Sequence, residues 1–292
     1  MMSVAIKNTV SLFDEMIAYE TLWAIPGASL KSIATIFKEK RRLPSELLEY
    51  ESDLFEVPKI KEEVIQFLSK KSGFSICVNG AFQYPQRLRE AKYPIELFYY
   101  KGDIGCLDSD CISVVGSRKC SEDGMRRAEK LVKGLVEENY TVISGLAKGI
   151  DTVALKTAIN SRGRVIGVIG TPLDEYYPKE NMELQDEIAS KHLLISQVPF
   201  YRYEKEPFSN KRNYFPQRNE TMSALSLATV IVEASDTSGT LTQARACLDQ
   251  GRKLFILNSC FERDDISWPS RYLKRGAIRV KDFSDIYQNL KV

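Results

Sequence analysis

The sequence predicts an α/β protein with an extended Rossmann-like, mostly parallel sheet, preceded by a small N-terminal helical domain. From Cys111 onward, short runs rich in Val and Ile alternate with amphipathic stretches. Such alternation is typical of parallel strands joined by helices. From Leu12 to about Lys71, apolar residues recur three and four positions apart, as they do in helices. We therefore expect a helical domain over residues 1–72 and a Rossmann-like domain over residues 73–292.

The helical segment contains a candidate helix-turn-helix unit. Residues Trp23–Ile36 read WAIPGASLKSIATI, which predicts two helices joined by a tight Pro-Gly turn. This pattern is typical of SAM-like or helix-hairpin-helix-like domains, in which the turn amides meet a DNA phosphate. A plain pair of helices in a small bundle is the commoner source of the same pattern. Both interpretations stay open at this stage.

The remaining chain supplies the predicted strands and helices of the sheet. Two short β-like runs come first, at Ser75–Val78 and Leu97–Lys101. The later strands are nearly continuous apolar runs, as expected for strands buried on both faces. These predicted strands are Ile112–Val115, Thr141–Ser144, Val165–Ile169, Leu193–Ser196, Thr229–Glu233, Lys253–Leu257 and Ala277–Val280. The predicted helices between them are Glu122–Glu138, Ile150–Asn160, Asn181–Lys191 and Leu241–Gln250.

Composition limits the metal sites, partners and cellular compartment that we expect for this protein. The 292 residues include 41 Lys and Arg against 39 Asp and Glu, so the net charge of +2 neither requires nor forbids an anionic partner. With a single histidine, His192, a multi-histidine metal site is excluded, and we expect neither a metal nor a cofactor. The six cysteines form no CxxC pair. We find no signal peptide and no transmembrane run, and therefore expect a cytoplasmic protein.

Ligands of doubly wound sheets bind at the carboxyl ends of the strands, so we expect functional residues in the loops that follow the strands. After the first Val-rich strand, VVGSRKCS offers the hydroxyl of Ser117 and the planar guanidinium of Arg118, which suits phosphate. After the next strand, VISGLAKGIDTVAL places Lys148 between Gly145 and Gly149, just before a helix that would expose amides to an anion. Neither turn matches the dinucleotide fingerprint or the P-loop.

Two later loops carry comparable signals. Residues Phe200–Ser226 are predicted to form a long loop that interleaves five basic residues with six aromatic ones. Such interleaving is typical of single-stranded nucleic-acid binding, but a loop packed on the sheet edge explains it equally well. The loop VEASDTSGTLTQA leads from Glu233 into Ser238, Gly239 and Thr240 at a helix start, which predicts a phosphate or ribose cradle.

The motifs VVGSRKCS, SGLAKGID, YPKEN, FPQRNETMSALS and VEASDTSGTLTQA occur in this order. Together they resemble the DNA-processing protein DprA (Smf) family over roughly Phe74 to Ile286. The resemblance implies sequence-tolerant binding of single-stranded DNA, homodimerisation, and delivery of the strand to a RecA-type recombinase during natural transformation. It implies no catalytic reaction, so we expect the protein not to be an enzyme.

The resemblance also implies which residues surround the DNA phosphates. By position these are Ser117, Arg118, Gly145, Lys148, Gly149, Gln217, Arg218, Asn219, Ser238, Gly239 and Thr240. One departure lies beside them, because the family commonly has a basic residue where this chain has Glu220. We expect that change to weaken or redirect DNA binding.

Alternative roles remain for several of these positions. An ion pair with Glu220 or another local acid competes with phosphate binding for Arg218. Asp151 and Glu233 would be the acid–base groups of an enzyme, although such residues more often cap a helix or close a strand end. The second functional hypothesis is a nucleotide-sensing or nucleotide-hydrolysing protein in a defence or toxin–antitoxin setting, with Glu233 beside the ribose phosphate.

Overall fold

The computed structural model describes residues 11–50, 57–80 and 83–290. The helices in these ranges are α1 (Leu12–Ala24), α2 (Leu30–Lys40), α3 (Pro44–Tyr50), α4 (Val57–Leu68), α5 (Gln86–Arg89), α6 (Glu122–Glu137), α7 (Ile150–Asn160), α8 (Met182–Lys191), α9 (Phe200–Lys205), α10 (Phe208–Lys211), α11 (Tyr214–Leu225), α12 (Thr240–Asp249), α13 (Trp268–Leu273) and α14 (Phe283–Leu290). None of them is long and apolar enough to cross a membrane.

The described strands form one mixed sheet. They are β1 (Ser75–Val78), β2 (Leu97–Gly102), β3 (Cys111–Val115), β4 (Thr141–Ser144), β5 (Val165–Ile169), β6 (Leu193–Ser196), β7 (Ala228–Ile231), β8 (Lys253–Leu257) and β9 (Ile278–Val280). Their order is β1-β2-β6-β5-β4-β3-β7-β8-β9. All neighbours from β6 to β9 are parallel, and only β1–β2 and β2–β6 are antiparallel. The predicted fold class is confirmed.

The strand order reverses beside β3. The chain passes from β3 to β4, β5 and β6 on one side, and then returns to place β7, β8 and β9 on the other side. The ends of β3 and β7 stay joined, because Val232 N donates to Val115 O at 3.1 Å and Ser117 N donates to Glu233 O at 2.7 Å. Beyond these bonds the two loops diverge and leave a crevice, which is where open α/β sheets bind their ligands.

Helix α6 shows how local sequence positions the crevice. The Ser121 hydroxyl accepts a hydrogen bond from Gly124 N at 2.9 Å, so the helix begins directly after the β3 loop. Its apolar face, which includes Ala128, Val132 and Leu135, is buried against the sheet. The N-terminal end of α6 is therefore held at the carboxyl edge of the strands.

The N-terminal segment is helical, as predicted. Helices α1 and α2 are joined by a turn in which Gly27 has a φ of 85°, a value that favours glycine. The Ser29 hydroxyl then caps α2. The predicted helix-turn-helix is confirmed as secondary structure, and a DNA contact of its turn stays a prediction. Parts of both predicted domains lie outside the described ranges. They are residues 1–10 and 51–56 of the helical domain and residues 81, 82, 291 and 292 of the sheet domain.

A buried carboxyl group connects the helical segment to the sheet. Glu20 on α1 is fully buried and accepts hydrogen bonds from the hydroxyl of Tyr99 on β2 and from the backbone amides of Phe200 at 2.7 Å and Tyr201 at 3.0 Å. Those two amides are the first of α9 and have no partner within their own helix. Glu20 thus serves as the cap of α9. Residues of α1 and of the sheet belong to one hydrophobic core.

The prediction that residues 200–226 form a long loop is wrong. This segment contains α9, α10 and α11. Four of its six aromatic residues, Phe200, Tyr201, Tyr203 and Tyr214, are buried and do not present their faces to solvent, whereas Phe208 is exposed and Phe215 is half-buried. Helix α11 is buried on several sides, and its sequence therefore lacks the one-sided apolar period by which a surface helix is recognised.

The Glu20 carboxyl gives a pH-dependent prediction. Burial raises its pKa from 4.5 to about 7. The folded state therefore binds a proton that the unfolded state releases, so the contribution of this group is greatest below pH 4.5 and falls as the pH rises through about 7. Glu20→Gln lacks this titration. We expect the stability difference between wild type and Glu20→Gln to shrink by up to about 3 kcal/mol between pH 4.5 and 8.

Urea denaturation of both proteins across this pH range measures the difference. Titrations shared by the two proteins, including that of Glu96, cancel in the comparison. A stability difference independent of pH would contradict the prediction.

Candidate functional site

A cavity of about 1190 Å³ opens at the carboxyl ends of the strands, beside the strand-order reversal. Its walls are the loop after β3, the loop after β7, the first turns of α7 and α12, one face of α11, and residues that follow β8. The volume exceeds the roughly 300–1,000 Å³ of ordinary small-molecule pockets. The space suits an extended ligand better than a single small metabolite.

The structure brings most of the predicted site residues together. Those that line the main cavity are Ser117, Arg118, Arg218, Asn219, Ser238, Gly239 and Thr240. Gly145 and Lys148 line a smaller adjoining cleft, and Arg118 borders both spaces. Gly149 and Gln217 line neither. Whether any of these residues binds phosphate stays a prediction at this point.

Arg118 is exposed at the junction of the main cavity and the smaller cleft. Within the described part of the chain, its guanidinium has no hydrogen bond or ion pair. The turn beneath it is fixed, because the Ser117 hydroxyl accepts from Lys119 N at 3.2 Å and donates to Lys119 O at 2.9 Å. Gly149, with a φ of 76°, packs against this turn, and a Cβ there would overlap the Ser117 carbonyl. Arg118 is thus a free cation on a rigid loop.

Arg218 has the opposite environment. Only 5% of it is exposed, and its guanidinium donates to Gly145 O and, at 2.8 Å, to Val168 O. Burial lowers its pKa to about 10, and the nearby Asp151 carboxylate opposes that shift. Of the two alternatives, Glu220 or another local acid, the acid that acts on Arg218 is the second, Asp151. Arg218 ties the ends of β4 and β5 to α11 at the wall of the cavity.

Gly145 lies between these two charged groups. Its amide donates to the Asp151 carboxylate at 3.2 Å, and its carbonyl accepts from Arg218. A Cβ at this position would overlap the Arg218 guanidinium, which explains why glycine is present here. Burial raises the pKa of Asp151, and Arg218 counteracts the rise. Asp151 is a structural acid that supports the β4 loop, in agreement with the helix-start interpretation.

Glu233 joins two loops. Its carboxylate accepts from Ser121 N at 3.1 Å and from the Ser121 hydroxyl at 2.6 Å. On the same side, the Thr240 hydroxyl donates to Gly116 O at 3.0 Å, so the start of α12 is also tied to the β3 loop. These contacts hold the β3 loop, the start of α6 and the start of α12 together at the cavity. Among the described residues, no group of three or more His, Cys, Asp or Glu is arranged to hold a metal ion.

Glu220, the departure from the family pattern, lies outside both spaces. It is half-buried, its backbone carbonyl accepts from Gln250 Nε2 at 3.2 Å, and Lys92 is the cation that acts on its carboxylate. Burial raises the pKa of this carboxyl. Glu220 lines neither the main cavity nor the smaller cleft. Its expected effect on DNA binding would therefore not arise from contact with DNA bound in these spaces.

An aromatic pair borders the smaller cleft. The rings of Tyr177 and Phe215 have centroids 5.1 Å apart, and 49% of Tyr177 is exposed. Tyr177 was not among the predicted site residues, although the tyrosine-proline step of YPKEN after β5 was a usable signal. Lys148, across the same cleft, forms an exposed ion pair with Glu180 at 2.5 Å. Such exposed pairs are weak, so Lys148 can exchange this partner for another anion.

Comparison with known proteins gives consistent matches. The family model described as DNA recombination-mediator protein A matches residues 75–291. A DNA processing protein DprA of Streptococcus pneumoniae is 38% identical over 60% of this chain and 59% of its own length. A DprA of Bacillus subtilis is 29% identical over 82% of both chains. The Smf protein of Escherichia coli is 33% identical over 79% of this chain and 60% of its own. The match to the first of these thus spans about three fifths of that relative.

Solved structures agree with the fold. The crystal structure of DNA processing protein A from Streptococcus pneumoniae superposes with a TM-score of 0.77 at 28% identity, over 96% of this chain and 98% of that one. DNA processing protein A from Helicobacter pylori, described for its single-stranded DNA binding mode, gives a TM-score of 0.64 at 24% identity, over 75% of this chain and 95% of that one. The second match supports the fold alone.

The two arginines of the cavity are expected to differ in their effect on stability. Arg218→Ala leaves two buried carbonyls unpaired and the buried Asp151 without its cation, and should lower the free energy of unfolding by about 3 kcal/mol or more. Arg118→Ala removes no hydrogen bond or ion pair between described residues and should change the free energy of unfolding by less than about 0.5 kcal/mol. Urea denaturation at neutral pH measures both values. Equal losses in the two variants would contradict the assigned roles.

Proposed function

Because the chain belongs to the DNA recombination-mediator protein A family, we propose that it binds single-stranded DNA at the carboxyl edge of its sheet. The observation that carries the proposal is the exposed guanidinium of Arg118 at the junction of the two spaces, which no described residue binds by a hydrogen bond or ion pair. A planar guanidinium with no internal partner is suited to a phosphodiester. Binding it costs this residue no internal contact.

The N-terminal ends of three helices also favour an anion at this edge of the sheet. Helices α6, α7 and α12 all begin at this edge of the sheet, so the positive ends of their dipoles lie beside the cavity. Helix α12 has no acidic residue in its first turn, so no carboxylate of its own offsets the positive end of its dipole. The first turn of α6 does carry Glu122 and Asp123. We therefore assign the strand's phosphates to Arg118 and the start of α12.

The aromatic pair supplies the second component of strand recognition. A base that leaves the phosphate at Arg118 toward the smaller cleft meets the exposed face of Tyr177, with Phe215 behind it. Base–aromatic stacking tolerates any sequence, because every base has a π-face. This feature supports binding that depends on single-strandedness and little on sequence.

We further propose that the protein acts by binding and not by catalysis, forms a homodimer, and delivers the strand to a RecA-type recombinase during DNA uptake in the cytoplasm. Family membership supports these points. The engagement of Glu233 and Asp151 in internal hydrogen bonds supports the non-catalytic role. The competing hypothesis, a nucleotide-sensing or nucleotide-hydrolysing protein, would use Glu233, whose carboxylate lines the cavity and binds Ser121.

Binding should depend on Arg118 and on salt. We expect wild type to bind a labelled oligothymidylate more tightly than its duplex, with affinity that falls steeply as salt rises, because phosphate contacts release counterions. Arg118→Ala should weaken single-strand binding roughly tenfold and reduce the salt slope by about one. Fluorescence anisotropy at several salt concentrations measures both.

Arg164→Ala is the matched control, because Arg164 is equally exposed but lies at the amino end of β5. Binding that is unaffected by salt and by Arg118→Ala would reject the proposal. Turnover of a nucleotide by the wild type would favour the competing hypothesis.

Stacking should depend on the ring at position 177. Tyr177→Phe keeps the π-face and should retain affinity, whereas Tyr177→Leu keeps apolar volume but loses the face. We expect Tyr177→Leu to cost about 1 kcal/mol or more in the free energy of binding a single strand. Anisotropy titrations of the two variants at one salt concentration give the comparison. Equal affinities of the Phe and Leu variants would contradict a stacking role.

A further inference from the structure

A second basic pocket lies next to the main cavity, between α12 and α13. Its volume is about 380 Å³, and we call it the arginine pocket after Arg245, Arg271 and Arg275, which line it. Thr237, Ser238 and Thr242 line both this pocket and the main cavity. The two spaces therefore adjoin across a rim of hydroxyl groups.

The pocket carries an excess of positive charge. Its only carboxyl among the described lining residues is Asp236. That carboxylate accepts from Ser267 N at 2.9 Å and from Trp268 N at 3.0 Å, and these bonds hold its pKa below the usual range. It thus stays ionised at the start of α13. Arg271 approaches it at only 3.7 Å, too far for a hydrogen bond.

The three guanidinium groups differ in how they are held. Arg275 forms an exposed ion pair with Asp249 at 3.2 Å and lies over the ring of Tyr272, 5.3 Å from its centroid. Arg245 is exposed on α12 and, within the described ranges, has neither a hydrogen bond nor an ion pair. Like Arg118 in the main cavity, it is a cation without an internal partner. The pocket therefore has one free guanidinium flanked by two loosely paired ones.

We propose that the arginine pocket is a second phosphate subsite, which binds the sugar–phosphate backbone of a nucleic-acid strand that extends out of the main cavity. This inference rests on the proposed function. Guanidinium groups bind phosphate oxygens through paired donors, and a flexible polyanion can follow the shared hydroxyl rim from one subsite to the next. A ligand confined to the main cavity would not reach Arg245, so the subsite acts only on longer strands.

The test compares two strand lengths. Oligothymidylates of about 4 and about 16 nucleotides bracket the site sizes usual for single-strand binding. We expect Arg245→Ala to weaken the longer strand roughly fivefold, to lower its salt slope by about one, and to leave the shorter strand unaffected. Arg245→Lys should keep the salt slope, because it keeps the charge. Arg118→Ala should weaken both lengths, and Arg164→Ala neither.

The possible results distinguish the second phosphate subsite from the main single-strand site. If the longer strand binds Arg245→Ala as tightly as Arg164→Ala while Arg118→Ala weakens both lengths, the second subsite is rejected and the main site stands. If Arg245→Ala weakens both lengths equally, Arg245 belongs to the main site and the length-specific subsite is likewise rejected. If wild type binds neither strand, the proposed function fails, and the subsite fails with it.

Discussion

The chain leaves β3 toward one side of the sheet and returns to β7 on the other, so the loops at this point diverge. Glu233 fixes how far they diverge, because its carboxylate binds Ser121 at the start of α6 and its carbonyl accepts from Ser117. The β3 turn, the start of α6 and the start of α12 are therefore held in place without any ligand. Because these loops are already ordered, little free energy is lost to ordering them when a ligand binds.

The main cavity uses two arginines for opposite purposes. Arg218 is buried and donates to two backbone carbonyl oxygens, so its guanidinium acts as a cross-link between the ends of β4 and β5 and α11. Arg118 is exposed and has no partner in the described structure. Removing one member of a buried charge network lowers the stability of the fold, whereas a surface cation without a partner is available to bind a ligand. Burial thus separates the supporting residue from the binding residue, although both appear as basic residues in family motifs.

Much of this arrangement was predictable from sequence. The strands β4, β5, β6 and β8 were predicted with correct bounds, because continuous apolar runs between helical stretches are a strong local signal. The exposed position of Arg118 followed from its place just after a strand. The burial of Arg218 did not, because its partners are backbone carbonyls of residues distant in sequence, which leave no mark on residue identity. Glu20 escaped notice for the same reason, since two of its three partners are backbone amides of α9.

The central claim is that a single strand lies along this cavity edge, with a phosphate at Arg118 and a base on Tyr177. Photo-crosslinking of a bromodeoxyuridine-substituted oligonucleotide, followed by peptide mass spectrometry, tests the claim most directly. We predict crosslinks at Tyr177 or Phe215 that disappear in Arg118→Ala and persist in Arg164→Ala. Crosslinks confined to peptides outside the cavity, or unchanged in Arg118→Ala, would contradict it.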